Sequence, residues 1–231
     1  MKTLGIIGGI APESTIAYYR HIVSGYRTLR PDGSYPPVLI NSIDMTKMLG
    51  FVAADELGEL TGYLLSELQK LVRAGAEFGL LASNTPHIVF DDLKQRSPIP
   101  LISIVEAACA AASELGIKRA GLFGTRSTMQ GRFYPDVFAQ AGITLLAPET
   151  DEQAYIHDKY MNELVLAKFF EETRQGLLAI VNRMKERSGI EAVVLGGTEL
   201  PLILHDAGGT GIQLLDTGRI HAEAAVTRML A

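Results

Sequence analysis

The chain has 231 residues, of which 47% are hydrophobic and 20% charged, and its formal net charge is −5. This length allows one large domain or two small ones, and the composition is that of a folded globular protein. The negative net charge gives no reason to propose a nucleic acid or an acidic membrane as a partner, because either would require a clustered basic surface, and no apolar run reaches the ~20 residues that span a bilayer. The N-terminus enters a strand without the zones of a signal peptide, which predicts a cytoplasmic protein.

Few residues are suited to metal or cofactor chemistry. Cys109 is the single cysteine and stands among small apolar residues, so we predict a buried packing residue rather than a nucleophile. Dinucleotide-binding, P-loop and zinc motifs are absent, and no two histidines have metal-ligand spacing. We therefore predict no metal and no cofactor. Except for His87, the histidines are expected at the surface or on helix faces: His21, His157, His205 and His221.

The first part of the chain alternates apolar strands with amphipathic helices. Pro12 starts the first helix, because proline is favoured in a first helical turn. A longer helix has leucines spaced by three and four positions, and Gly75 is placed to end it. The predicted strands cover 3–7, 38–43, 78–82 and 101–104, and the long helix covers 54–74.

The second part repeats this plan. Its predicted strands cover 119–123, 143–147, 192–195 and 212–215. Helices are predicted at 105–115, in a segment that ends near 140, at two places within 150–186, and from Thr217 onward.

Two strand-end loops carry this internal repeat. One is Ser83-Asn84-Thr85-Pro86-His87, and the other is Gly196-Gly197-Thr198-Glu199. Gly8 precedes Ser83 by 75 positions, and Gly124 precedes Gly197 by 73. Matching offsets with the same order of elements indicate two copies of one α/β unit.

We therefore predict an α/β fold with two pseudo-symmetric lobes, each a parallel sheet flanked by helices. The N-terminal lobe is expected to comprise 1–99 and 212–231, and the C-terminal lobe 100–211, with strand 101–104 at the junction. Ligands of such sheets bind at the carboxyl ends of the strands. The loops are therefore expected to converge on one active site in the cleft between the lobes.

The loop Gly124-Thr125-Arg126-Ser127-Thr128 offers hydroxyl groups and backbone amides at a strand-to-helix turn. Such a turn can bind an anion, although ordinary helix capping explains any single one equally well. Similar turns at Asn84-Thr85 and Thr198-Glu199 favour a carboxylate site. A small organic acid or amino acid is the predicted ligand.

These loops resemble the signature loops of the pyridoxal-phosphate-independent aspartate/glutamate racemase family. The resemblance runs in order through Gly8-Gly9, 12–15, 83–87, 124–129 and 197–199, and it covers essentially the whole chain. It implies a two-lobed fold, a homodimer and a cofactor-free site between the lobes. It also implies two cysteine thiols that act on opposite sides of the substrate α-carbon.

The sequence departs from the family at both thiol positions, where Ser83 and Gly197 stand. A serine hydroxyl is a far weaker acid than a thiol and needs a separate base, and glycine carries no proton. The two-thiol mechanism is therefore excluded. Gly197 suggests the hypothesis of a pocket enlarged for a bulkier ligand, which fails if a neighbouring side chain fills the space.

Three functions remain open. We predict foremost an isomerase, namely a racemase of an acidic amino acid or related carboxylate, in which Ser83, His87 or Glu199 replaces the thiols. Decarboxylation or elimination needs only one proton delivery and could use the same carboxylate site. A binding protein without catalysis is the third possibility.

The resemblance also assigns roles to individual residues. Ser83 is expected at the reaction centre, Glu199 as acid/base or as a cap, and His87 as a proton carrier or a loop-orienting residue. Lys168 is either the cation for a distal carboxylate or a solvated helix lysine, with Lys47 as a weaker candidate. The substrate is expected to contact Gly9, Asn84, Thr85, Thr125, Ser127, Thr128, Gly197 and Thr198.

Overall fold

The computed structural model describes residues Met1 to Ala231 and contains strands alternating with helices, as predicted. The strands are β1 Leu4–Gly8, β2 Val38–Ser42, β3 Phe78–Leu81, β4 Leu101–Ile102, β5 Arg119–Gly124, β6 Thr144–Leu146, β7 Ala192–Gly196 and β8 Gln213–Asp216. The helices are α1 Pro12–Leu29, α2 Met45–Ala53, α3 Leu57–Arg73, α4 Phe90–Arg96, α5 Ile104–Glu114, α6 Arg126–Gln130, α7 Phe133–Gln140, α8 Thr150–Asn162, α9 Glu171–Ser188, α10 Leu200–Ile203 and α11 Thr217–Leu230. Two 3-10 helices cover Thr85–Val89 and Leu164–Leu166.

The chain forms two compact units, each with one four-stranded parallel sheet. The first unit comprises Met1–Ile104 and Gly218–Ala231, and the second comprises Val105–Thr217. The strand order is β2-β1-β3-β4 in the first sheet and β6-β5-β7-β8 in the second, so the order is the same within each unit. The predicted α/β fold with two parallel sheets flanked by helices is confirmed.

The strand pairing places the unit boundaries later than the sequence indicated. Strand β4 pairs with β3 through Gly79 and Leu101, so it belongs to the first sheet. Strand β8 pairs with β7 through Val193 and Leu214, so it belongs to the second sheet. A boundary before 100 and another at 212 would have removed each edge strand from its parallel neighbour. The chain instead leaves each unit just after the last strand of its sheet.

The helix predicted over 54–74 is preceded by a separate helix. Helix α2 ends at Ala53, and Asp55 interrupts the helical backbone because it adopts a left-handed conformation with φ of 56°. The carboxylate of Asp44 caps α2 by accepting a hydrogen bond from the backbone N–H of Thr46 at 2.8 Å. Gly75, with φ of 101°, follows the end of α3 as predicted. The helix predicted to end near 140 is also divided, into α6 and α7.

The central strands of both sheets are buried, and helices cover them. In the first unit, leucines of α3 pack on one face of the sheet, and residues of α1 and α11 pack on the other. In the second unit, a cluster joins α8 and α9 to β5 and β7. Cys109 is buried, as predicted. No helix is both long enough and apolar enough to cross a membrane.

His221 lies on helix α11, which is one of the two predicted locations, and its side chain is fully buried. The Tyr18 hydroxyl donates a hydrogen bond to His221 Nδ1 at 2.8 Å. His221 Nε2 donates to the carbonyl oxygen of Ile102 at 3.0 Å. These bonds fix a neutral tautomer and connect α1, α11 and β4 within the first unit. Burial lowers the pKa of His221 to about 4.

Tyr18→Phe is expected to lower the free energy of unfolding by about 1–3 kcal/mol, because a buried acceptor nitrogen on His221 loses its donor. Urea denaturation followed by circular dichroism measures the change. The control is Tyr19→Phe on the same helix, whose side chain is exposed and makes no hydrogen bond. Equal stability of the two variants would contradict a structural role for the Tyr18–His221 bond.

Candidate active site

The candidate site of the first unit lies at the carboxyl ends of its two central strands. Strands β1 and β3 are paired up to Ile7 and Leu81. The loops beginning at Gly8 and Ser83 therefore leave the sheet side by side. Ser83, Asn84 and Thr85 are buried directly after β3. The structure thus brings together the predicted site residues of this half of the repeat.

Gly9 shapes its loop through its backbone. Its φ is 85°, and a Cβ atom there would lie 2.6 Å from the carbonyl oxygen of Ile43, so only glycine fits without strain. The Gly9 N–H donates to Thr15 Oγ1 at 2.8 Å. Because this amide already has a partner inside the protein, Gly9 supports the turn rather than offering a donor for a ligand.

Ser83 presents a hydroxyl group without a neighbouring base. The side chain of Ser83 is 7% exposed and makes no hydrogen bond with another residue. The nearby imidazole of His87 contacts the backbone of Ser83 instead, through Nδ1 and the carbonyl oxygen at 2.9 Å. Ser83 is therefore available as a polar contact, but no protein group in hydrogen-bond contact activates it as a nucleophile or base.

His87 holds the loop in place with both ring nitrogens. Nδ1 donates to the Ser83 carbonyl oxygen, and Nε2 accepts from the backbone N–H of Ile104 at 3.2 Å. The ring also stacks on Phe90 with centroids 4.8 Å apart. Burial, with a smaller effect from His221, lowers the pKa of His87 to about 3. Of the two roles considered for His87, these contacts support orientation of the loop over proton transfer.

In the second unit, Thr125 acts as the N-cap of α6. Its hydroxyl accepts from the Thr128 backbone N–H at 3.3 Å and lies 3.1 Å from the Thr128 hydroxyl. Thr128 has no exposed surface. Thr128 therefore stabilises the turn, and its contact with a substrate stays a prediction. Ser127 is half-buried.

The loop after β7 carries a buried carboxylate. Glu199 is 1% exposed, yet it lies in a turn between β7 and α10. The Tyr160 hydroxyl donates a hydrogen bond to Glu199 Oε2, and the Thr198 hydroxyl donates to the same oxygen at 3.2 Å. Two donors on one buried carboxylate form a polar cluster at the carboxyl end of a central strand, where ligands of such sheets bind.

Tyr160 fills the space that Gly197 leaves. A Cβ atom at residue 197 would lie 2.9 Å from Tyr160 Cζ and 3.0 Å from its hydroxyl oxygen. The hypothesis that Gly197 enlarges the pocket is therefore wrong. Tyr160 is also a functional candidate that the sequence alone did not reveal. Its signal in the sequence is a tyrosine hydroxyl on the buried face of an amphipathic helix, where the hydroxyl requires a partner.

Helix α8 holds Tyr160 in position through contacts at its first turn. A capping box joins Glu149 and Glu152. The buried carboxylate of Glu152 also pairs with Arg183 at 2.7 Å and Arg187 at 3.0 Å on α9. Burial, followed by the negative charge of Glu199, raises the pKa of Tyr160 well above its ordinary value. Tyr160 is therefore a neutral phenol at physiological pH.

The two lysine candidates lie outside these polar clusters. Lys168 is exposed, and its backbone N–H donates to the Glu163 carbonyl oxygen at 2.9 Å. Lys47 lies in the first turn of α2, with its Nζ 4.6 Å from the centroid of the Tyr63 ring.

The structure does not bring together three or more histidine, cysteine or carboxylate side chains that could hold a metal ion.

Fold and site together define an α/β protein whose strand-end loops are suited to a small ligand. The sequence model of the Asp/Glu/Hydantoin racemase family matches residues 7–225. The broad specificity amino-acid racemase RacX of Bacillus subtilis is 24% identical over 233 residues, which span 99% of this chain and 98% of that protein.

Solved structures agree with this match. An aspartate racemase homologue from Pyrococcus horikoshii has 30% identity and a TM-score of 0.85, with both chains covered completely. The glutamate racemase of Francisella tularensis, solved with D-glutamate, has a TM-score of 0.68 at 14% identity, covering 99% of this chain and 81% of that one, and shows the shared fold. The chain belongs to the Asp/Glu/Hydantoin racemase family.

The buried histidines predict acid destabilisation. His87 and His221 have folded pKa values of about 3 and about 4, below the value of 6.5 for an exposed histidine. The unfolded chain therefore binds protons below pH 6.5 that the folded chain does not, and stability falls as the pH decreases from there. Each histidine contributes a slope of up to about 1.4 kcal/mol per pH unit.

Urea denaturation at pH 7.5, 6.5, 5.8 and 5.2 measures this slope. The control is His205→Gln, because His205 is largely exposed beside Asp206, and the pH dependence should persist in this variant. A free energy of unfolding that stays constant between pH 6.5 and 5.2 would contradict the neutral, buried state of the two imidazoles.

Proposed function

We propose that the protein is an isomerase that racemises an acidic amino acid, or a related small carboxylate, by α-proton transfer. The observation that carries this proposal is the buried Glu199 carboxylate, which accepts hydrogen bonds from Tyr160 and Thr198 beside Gly197 at the end of β7. Family membership supports the reaction class, and the amino-acid racemase RacX, matched over its whole length, supports an amino-acid substrate.

We assign Glu199 as the acid/base group of the second unit. A carboxylate shielded from water exchanges a proton more effectively with a weakly acidic C–H group than a solvated one does. Ser83 is the candidate for the second group, in the form of a hydroxyl that transfers a proton through water or stabilises developing charge. Neither Ser83 nor Gly197 carries a thiol, so this route differs from two-thiol racemisation.

Polar groups at the strand ends are proposed to hold the substrate carboxylate and amino groups. The residues available for this are Asn84, Thr85, Ser127 and Thr198, with Thr125 acting through its capped turn. Lys168 is exposed and free of ion pairs at its side chain, which fits a cation for a distal carboxylate as well as a solvated lysine. We also propose, from the resemblance, that the protein works without pyridoxal phosphate as a cytoplasmic homodimer.

Proton NMR in deuterated water tests the proposal with the L and D forms of aspartate and glutamate. The wild-type protein should remove the α-proton signal of at least one of them as deuterium replaces hydrogen. Glu199→Gln should slow this loss by about 100-fold or more, because the acid/base group is replaced by an amide. The control Glu186→Gln changes an exposed carboxylate on α9 and should retain the wild-type rate.

Retention of all four α-proton signals, with binding of an amino acid shown separately by calorimetry, would refute racemisation. An unchanged rate in Glu199→Gln would instead leave the reaction standing and remove Glu199 from it. The two results are therefore separable.

A decarboxylase or lyase acting on a small dicarboxylate is the second candidate. The observation that favours it is a difference between the two units. The Ser83 hydroxyl has no base in hydrogen-bond contact, whereas the Glu199 carboxylate accepts hydrogen bonds from neighbouring hydroxyl groups. One proton delivery is enough for decarboxylation or elimination, but racemisation needs two groups. Product analysis separates these reactions, since a lyase yields a new compound and a racemase yields only the other enantiomer. Binding without any product would indicate an amino-acid-binding protein.

A further inference from the structure

We propose that Tyr160 is the group of the second unit that exchanges a proton directly with the substrate, and that Glu199 acts through it. This inference rests on the proposed α-proton transfer and names the atom that performs it. The phenol oxygen of Tyr160 contacts the α-proton at this strand end, and Glu199 remains the acid/base group that gains or loses the net proton.

The first argument is the position of the Tyr160 hydroxyl. Its oxygen lies 3.0 Å from the point where a Cβ atom of residue 197 would be. A side chain at residue 197 would start at the carboxyl end of a central parallel strand, where ligands of this sheet type bind. Tyr160 thus supplies a polar group from α8 at the place where the loop itself has none.

The second argument is the composition of the cluster. Tyr160 and Glu199 are 6% and 1% exposed, and the phenol donates to the carboxylate. A carboxylate is costly to bury and is not required to cap α10, where Glu199 makes no capping hydrogen bond. A phenol with an adjacent proton acceptor forms a relay, because a proton entering at one oxygen can leave at the other.

The proton balance is complete without a further reactant. When the substrate α C–H bond breaks, its proton forms a new O–H bond at the Tyr160 oxygen as the original phenol proton passes to Glu199. The electron pair of the C–H bond stays on the substrate as a carbanion conjugated with its carboxylate. In the reverse direction, protonated Glu199 returns its proton to Tyr160 as Tyr160 protonates the α-carbon. Tyr160 remains neutral at both ends of the step, consistent with its raised pKa.

Tyr160→Phe is the first test, because it keeps the ring and removes the hydroxyl. The rate of α-proton exchange should fall by about 100-fold or more. Affinity for L-aspartate and L-glutamate, measured by calorimetry, should change by less than about threefold, because the ring still fills the space beside Gly197. The matched control is Tyr155→Phe on the same helix, which should exchange at the wild-type rate.

The second test exploits the competition for space between Tyr160 and residue 197. Gly197→Cys alone should lose exchange, because its Cβ atom displaces the phenol. Combining Gly197→Cys with Tyr160→Ala should restore exchange to at least tenfold above Tyr160→Ala alone, since a thiol then has room and can carry a proton. Gly197→Ala with Tyr160→Ala provides the same space without a thiol and should stay inactive. Iodoacetamide should abolish the restored activity and leave the wild-type protein active.

The outcomes distinguish the two proposals. Wild-type exchange that persists in Tyr160→Phe would overturn the role of Tyr160 and leave the proposed function intact. Absence of exchange in the wild-type protein, with all four amino acids, would overturn the proposed function together with this inference. A double variant with a thiol that is no more active than its alanine counterpart would show that the space beside residue 197 is not the reacting position.

Discussion

The loop after β7 and helix α8 compete for one volume, since the ring of Tyr160 lies where a side chain of residue 197 would begin. Glycine at residue 197 is therefore a requirement of packing. The polar group at this strand end comes from a helix, and its position depends on how that helix is anchored. The Glu152 pairs with Arg183 and Arg187 thereby influence the geometry of the candidate site from the first turn of α8.

The two units share a strand order but organise their strand-end loops with different chemistry. In the first unit, a neutral imidazole bonded to two backbone groups holds the loop after β3, and the Ser83 hydroxyl has no protein partner. In the second unit, threonine hydroxyls and a buried carboxylate hold the loops after β5 and β7. The two units therefore share their topology, while the groups that hold their strand-end loops differ in chemistry.

Much of this fold could be predicted from sequence because alternating apolar strands and amphipathic helices act locally. Such patterns predicted the first and last strands of the repeat, the helix end at Gly75 and the burial of Cys109. The assignment of β4 and β8 did not, since edge pairing depends on neighbours distant in sequence. The buried partners of Tyr160 and His221 were not predicted for the same reason. A polar atom on an apolar helix face shows that a buried partner exists but not which one.

The second unit is a continuous segment of the chain, whereas the first is completed only by Gly218–Ala231. Helix α11 brings His221 to Tyr18 and the Ile102 carbonyl after the entire second unit has been synthesised. During translation, the second unit therefore has all of its own sheet available before the first unit has its last helix. The order of synthesis gives the second unit the earlier opportunity to fold, and it leaves the apolar surface under α11 uncovered until α11 itself has been synthesised.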